Sequence, residues 1–109
     1  MKYIMKSRTS LLLPTADKIM KELGSNMKLG RLRRKLNVEQ IVERAGINRT
    51  TLCLVEKGAP SVAMGTYSQL LFVLGLEKDL LNVASDDLLG RKLQDAQLSI
   101  KARSNKRKR

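Results

Sequence analysis

The sequence predicts an all-α domain of five or six helices. Apolar residues recur at steps of three and four, and β-branched runs are scarce. Aromatics make up only 3% of a chain that is 42% apolar, so the core is aliphatic, built from Leu, Ile, Val and Met. With 109 residues there is material for one small domain with tails.

Residues 1–13 mix basic and apolar types without helical rhythm and read as a flexible or strand-forming arm. Pro14 stops any element before it, and Thr15 or Asp17 is placed to cap a helix beyond it. The first helix is expected from about Ala16 to Lys35. Met20, Leu23, Met27 and Gly30 form one stripe, and Leu29, Leu32 and Leu36 a second, which predicts contact on two sides. Gly24 and Gly30 each weaken such a helix by about 1 kcal/mol relative to Ala. A break near Gly24-Ser25-Asn26 is therefore expected, and Gly30 offers a place for close helix approach.

Asn37 is positioned to cap a second helix, Val38 to Ala45, with Ile41, Val42 and Ala45 inward. Ala45-Gly46-Ile47-Asn48 is a tight turn. Gly46 can take the left-handed backbone that other residues enter only at a cost, and Asn48 can cap the third helix, Arg49 to Lys57. Leu52 and Val55 face inward there. After the turn Gly58-Ala59-Pro60-Ser61, a fourth helix runs from about Ala63 to Leu74, with Met64, Tyr67, Leu70 or Leu71, and Leu74 inward. Gly75 ends it. A fifth helix, about Glu77 to Ala84, carries Leu80, Leu81 and Val83. Ser85-Asp86-Asp87 opens a last helical stretch to Ile100, lined on one side by Leu89, Leu93, Ala96 and Ile100. The expected organisation is thus an arm at 1–13, a domain at 14–84, a helix at 85–100 for dimer or partner contact, and a basic tail at 101–109.

Helix, glycine turn and second helix over Val38 to Lys57 match the unit that sends its second helix into the DNA major groove. The net charge of +12 suits an anionic partner, nucleic acid before membrane. Six of those charges sit in the tail at 101–109, a run that repels itself and is expected to be disordered. No apolar run approaches the roughly 20 residues that span a bilayer. Leu11-Leu12-Leu13 is too short for the core of a secretory signal, and one cysteine fits a reducing cytoplasm. With no histidine and one cysteine, zinc sites and histidine-based triads cannot be assembled. No phosphate-binding glycine loop and no paired carboxylates occur, so neither an enzyme nor a cofactor is expected.

Arg49, Thr50 and Thr51 on the first turn of the third helix are the base-reading candidates. Arg can bond guanine O6 and N7 together, and Thr presents a hydroxyl and a methyl. Leu54 lies on the outer face, able to touch a thymine methyl or simply to pack. Asn37, Gln40, Asn48 and Lys57 are candidate phosphate contacts, although both asparagines have a capping role whatever the function. Arg31 and Glu56 read as a structural ion pair. Lys28, Arg33, Arg34 and Lys35 read first as a solvated face, and Cys53 as incidental. Leu89, Leu93 and Ile100 form a dimer or partner surface, with an intramolecular role left open.

Over about Met27 to Leu76 the chain resembles the Cro/C1-type (XRE family) helix-turn-helix regulators. The resemblance is carried by Arg31 with Glu56, Leu36-Asn37, Ala45-Gly46-Ile47-Asn48, Glu56-Lys57-Gly58 and Gly75. It implies a lambda-repressor-like DNA-binding fold, a homodimer on palindromic operator DNA and steric repression. Within that family the chain is most similar to the HipB-like antitoxins, through residues 31–35, Pro60-Ser61-Val62, and Leu74-Gly75-Leu76 continuing into residues 85–93. That likeness implies a HipA-like kinase toxin as partner and a bacterial cytoplasmic, nucleoid-associated location. A stand-alone phage-type or restriction-controller repressor, or a basic RNA-binding protein, is the alternative. The chain departs from the family at Val38, Val42, Leu54 and Ala63.

Overall fold

The computed structural model describes residues 12–107, with side chains as far as Arg103. All regular structure among them is helical: α1 (Pro14–Arg33), α2 (Val38–Ala45), α3 (Arg49–Glu56), α4 (Met64–Leu74), a 3-10 helix (Glu77–Asn82) and α5 (Leu88–Arg107). The chain divides into a unit that ends at Lys78 and a second that begins at Asp79. No helix among the described residues is long and apolar enough to cross a membrane.

In the first unit α1 and α2 both pack on α3 and α4. Met27, Ile41, Ala45, Leu52, Val55, Tyr67, Leu70, Leu71 and Leu74 are buried. The space between Met27, Ile41, Leu52, Val55, Leu70 and Leu74 admits no water molecule. Each fully buried Leu, Ile or Val contributes about 1.5–3 kcal/mol. Tyr67 closes one side of this core, donating its hydroxyl to the Ala59 carbonyl at 2.7 Å, and burial raises its pKa.

Each of the first four α-helices ends in the same way. A residue with positive φ bonds back three positions, and the next residue bonds back five. Gly46, Gly58 and Gly75 serve three of these ends, but at the end of α1 the residue is Lys35, at φ 55. This stops α1 at Arg33 rather than Lys35. Its start is Pro14 rather than Ala16, because proline lacks the N–H that a first helical position leaves unsatisfied. No side-chain cap forms at the start, so neither Thr15 nor Asp17 takes that role; Asp17 pairs with Lys21 at 2.9 Å instead.

The expected break at Gly24 does not occur: α1 is continuous. A Cβ at Gly24 would lie 2.5 Å from the Val55 carbonyl oxygen and 2.6 Å from the Gly58 nitrogen. Close approach therefore happens at Gly24. At Gly30 a Cβ would meet Leu74 at an ordinary 3.4 Å. The expected second buried stripe on α1 is also corrected, since Leu29 and Leu32 are 43% and 50% exposed. Met64, expected inward, is exposed at the first position of α4, while both Leu70 and Leu71 are buried.

The expected fifth helix, Glu77 to Ala84, is a shorter 3-10 segment that ends at Asn82. It buries no side chain, and a short α-helix needs packing to persist. The first compact unit ends within this segment, at Lys78. The last helix runs to Arg107, past the expected end at Ile100, so residues 101–107 are helical rather than disordered. Lys and Arg are good helix formers, and positive charge is favoured in the last turns of a helix. Residues 1–11 of the expected arm and 108–109 of the expected tail lie outside the described residues.

Candidate nucleic-acid interface

The geometry of the candidate site arises from two asparagine caps and one glycine. At the start of α2 the Asn37 side-chain oxygen accepts from the Gln40 backbone N–H at 2.8 Å, and the Gln40 side-chain oxygen accepts from the Asn37 N–H at 2.9 Å. This reciprocal box engages both acceptors, and neither side-chain NH2 group has an acceptor among the described residues. Gly46 turns the chain with φ 67 and ψ 35. Asn48 then caps α3, its side-chain oxygen accepting from the Thr51 N–H at 2.8 Å.

On α3 the period of 3.6 separates two faces. Leu52 and Val55 point into the core, 3% and 0% exposed. Arg49, Thr50, Cys53, Leu54 and Lys57 lie in the open, with Thr51 half-buried behind them. The backbone beneath is held hard against α1 at Gly24, so the outward face is presented on a fixed support. Asn37, Gln40 and Asn48 are exposed as well. The exposed residues among the base-reading and phosphate candidates therefore share the α2–turn–α3 segment, positioned by its own caps.

The Arg31 guanidinium grips the Glu56 carboxylate with two bonds, Nε to Oε2 at 2.8 Å and Nη2 to Oε1 at 3.2 Å. Its remaining arm donates to the Leu36 carbonyl at 3.0 Å. The two side chains are only 8% and 12% exposed. This pair ties α1 to the end of α3 and to the loop before α2. Lys28, Arg33, Arg34 and Lys35 are exposed; Arg34 donates to the Gly30 carbonyl at 2.9 Å.

Sequence reasoning missed one neighbour of the site. Glu39, in the first turn of α2, forms an ion pair with Arg49. The ten-residue separation across a turn carries no local signal for this contact. Both side chains are largely exposed, 66% and 74%, and such a pair is worth at most about 1 kcal/mol. Arg49 is therefore only loosely held by Glu39. A groove of about 360 Å³, with Arg44, Phe72, Val73 and Glu77 among its walls, contains none of the predicted contact residues. Leu89, Leu93 and Ile100 belong to the second unit and are 68%, 62% and 62% exposed.

No family model, curated protein or solved structure matches this chain. The candidate site offers one guanidinium, two threonine hydroxyls, three amide NH2 groups and one ammonium, all within one helix–turn–helix segment. Arg, Lys and amide donors suit phosphate oxygens and base edges.

Proposed function

We propose that the protein is a sequence-specific DNA-binding repressor that acts as a homodimer without chemistry of its own. α3 enters the major groove, where Arg49 and Thr50 read base edges, with Thr51 and Leu54 supporting them. Asn37, Gln40, Asn48 and Lys57 hold phosphates. The observation that carries this reading is the exposed leading end of α3, capped by Asn48 and backed by a buried Leu52–Val55 face. The net charge of +12 supports it, because phosphate contacts supply most of the affinity for duplex DNA. In a homodimer the two copies would meet half-sites about 34 Å apart.

The resemblance to HipB-like antitoxins adds a second partner to the proposal, a HipA-like kinase held inactive by the same protein. Co-purification with a kinase encoded in the neighbouring reading frame tests that part.

Selection from a random duplex library tests the DNA reading. The expected result is enrichment of a palindrome. Arg49→Ala is expected to relax preference at one position per half-site and to cost about 1–3 kcal/mol. Unchanged preference removes Arg49 as a reader, and a preference for RNA over duplex DNA overturns the function.

A further inference from the structure

The second unit contains a helix whose apolar seam is uncovered. On α5, Leu89, Leu93, Ala96 and Ile100 succeed one another at steps of four, three and four, the spacing of a coiled-coil core. All four are exposed. Leu88 and Leu98 lie off this seam.

We propose that the seam is covered by the same seam of a second copy, running antiparallel about a two-fold axis between Gln94 and Asp95. Three features of this helix and of the residues just before it select that partner and that direction. First, the seam is symmetric about its own midpoint. In the antiparallel register Leu89 faces Ile100 of the second copy, and Leu93 faces Ala96. Large side chains then meet small ones, and a leucine meets an isoleucine, so the layers interdigitate. A parallel pair would instead stack Ala96 on Ala96 and leave a gap.

Second, the seam is flanked by Asp86, which lies just before the helix, and by Arg103, one heptad after Ala96. Antiparallel pairing brings the Asp86 end of each copy towards Arg103 of the other, so that opposite charges flank both ends of the seam. Parallel pairing would set Asp86 against Asp86 and Arg103 against Arg103. Asp86 already holds Arg91 of its own chain at 2.7 Å, but that pair is exposed on both sides and can be shared. Third, acidic Asp86 and Asp87 stand just before the start of the helix and Lys101 and Arg103 towards its end. Antiparallel helices therefore place opposite charges, and opposite ends of their macrodipoles, side by side.

The inference rests on the pairing of copies that the proposed function assumes, but it is read without DNA. Sedimentation of the full chain across a concentration series is expected to show a reversible dimer. Leu93→Glu is expected to raise its dissociation constant by about 100-fold or more. Asp86→Arg and Arg103→Asp are each expected to weaken the dimer by about tenfold, and the double variant to restore it. A spin label at Lys101→Cys, in a Cys53→Ser background, reports direction. Antiparallel pairing separates the two Lys101 backbones by about 20 Å along the axis, whereas parallel pairing brings them level. A chain that stays monomeric at every concentration, a dimer indifferent to Leu93→Glu, a double variant no better than the single ones, or labels that lie level would each overturn the proposal. DNA binding is read separately through Arg49→Ala, so a failed dimer register and a failed DNA reading are told apart.

Discussion

Residues 14–78 and residues 79–107 are both helical, yet they are held in different ways. In the first unit nine apolar side chains are buried, and every α-helix contributes at least two of them or a buried pair partner. In the second, no described side chain from Asp79 to Arg103 is buried, and only Leu80 and Gly90 are half-buried. The difference is not one of helix propensity. α5 contains a single glycine in 20 residues, while α1 contains two in the same length. Burial, not local preference, separates the units, as expected where packing supplies most helical stability.

Two leucine truncations should separate the units most widely. Leu70→Ala in the first unit is expected to cost about 2–5 kcal/mol in urea unfolding. Leu98→Ala, exposed and off the seam of α5, should move it by less than about 0.5 kcal/mol. Equal effects would mean that the second unit contributes to a common core.

Next come the two arginine–glutamate pairs. Glu56→Gln leaves the buried Arg31 charge without its partner and should cost about 3 kcal/mol. Glu39→Gln, the same change on the exposed Arg49 pair, should cost less than about 1 kcal/mol and, on the proposed DNA-binding function, strengthen duplex binding by freeing Arg49. Denaturation of both variants, with a duplex titration of the second, checks this. A weaker affinity for Glu39→Gln would show that Glu39 positions Arg49 rather than competing for it.

Gly24→Ala separates local from tertiary control by its sign. Helix propensity alone favours alanine by about 1 kcal/mol. The Cβ would press on the Val55 carbonyl, so a loss of about 1–3 kcal/mol is expected in thermal or urea unfolding. A modest gain is expected at the end of α1. Lys35→Gly relieves a left-handed lysine, and calorimetry should find a gain of about 0.5–1 kcal/mol.

Much of the candidate site was legible because its determinants are local. Asn37, Gly46 and Asn48 act on backbone groups within a few positions of themselves, so spacing in the chain is spacing in the turn. The glycines that end α2, α3 and α4 are of the same kind. Lys35 was not legible as a helix end, because nothing about lysine announces a positive φ. Glu39 was not legible as the companion of Arg49, because their contact depends on how α2 and α3 cross.

The amino-acid sequence alone determined that this protein is all-α, where its turns fall, and which short stretch carries the exposed, hydrogen-bonding helix end. Periodicity and capping act over three or four residues, and a one-dimensional pattern contains them. Only the tertiary structure decided that Gly24 is a crossing point rather than a break, that Leu29 and Leu32 stay outside, and that the core closes before Asp79. Those outcomes depend on which surfaces of distant segments meet, and apolar residues at helical spacing do not say which of them will find a partner.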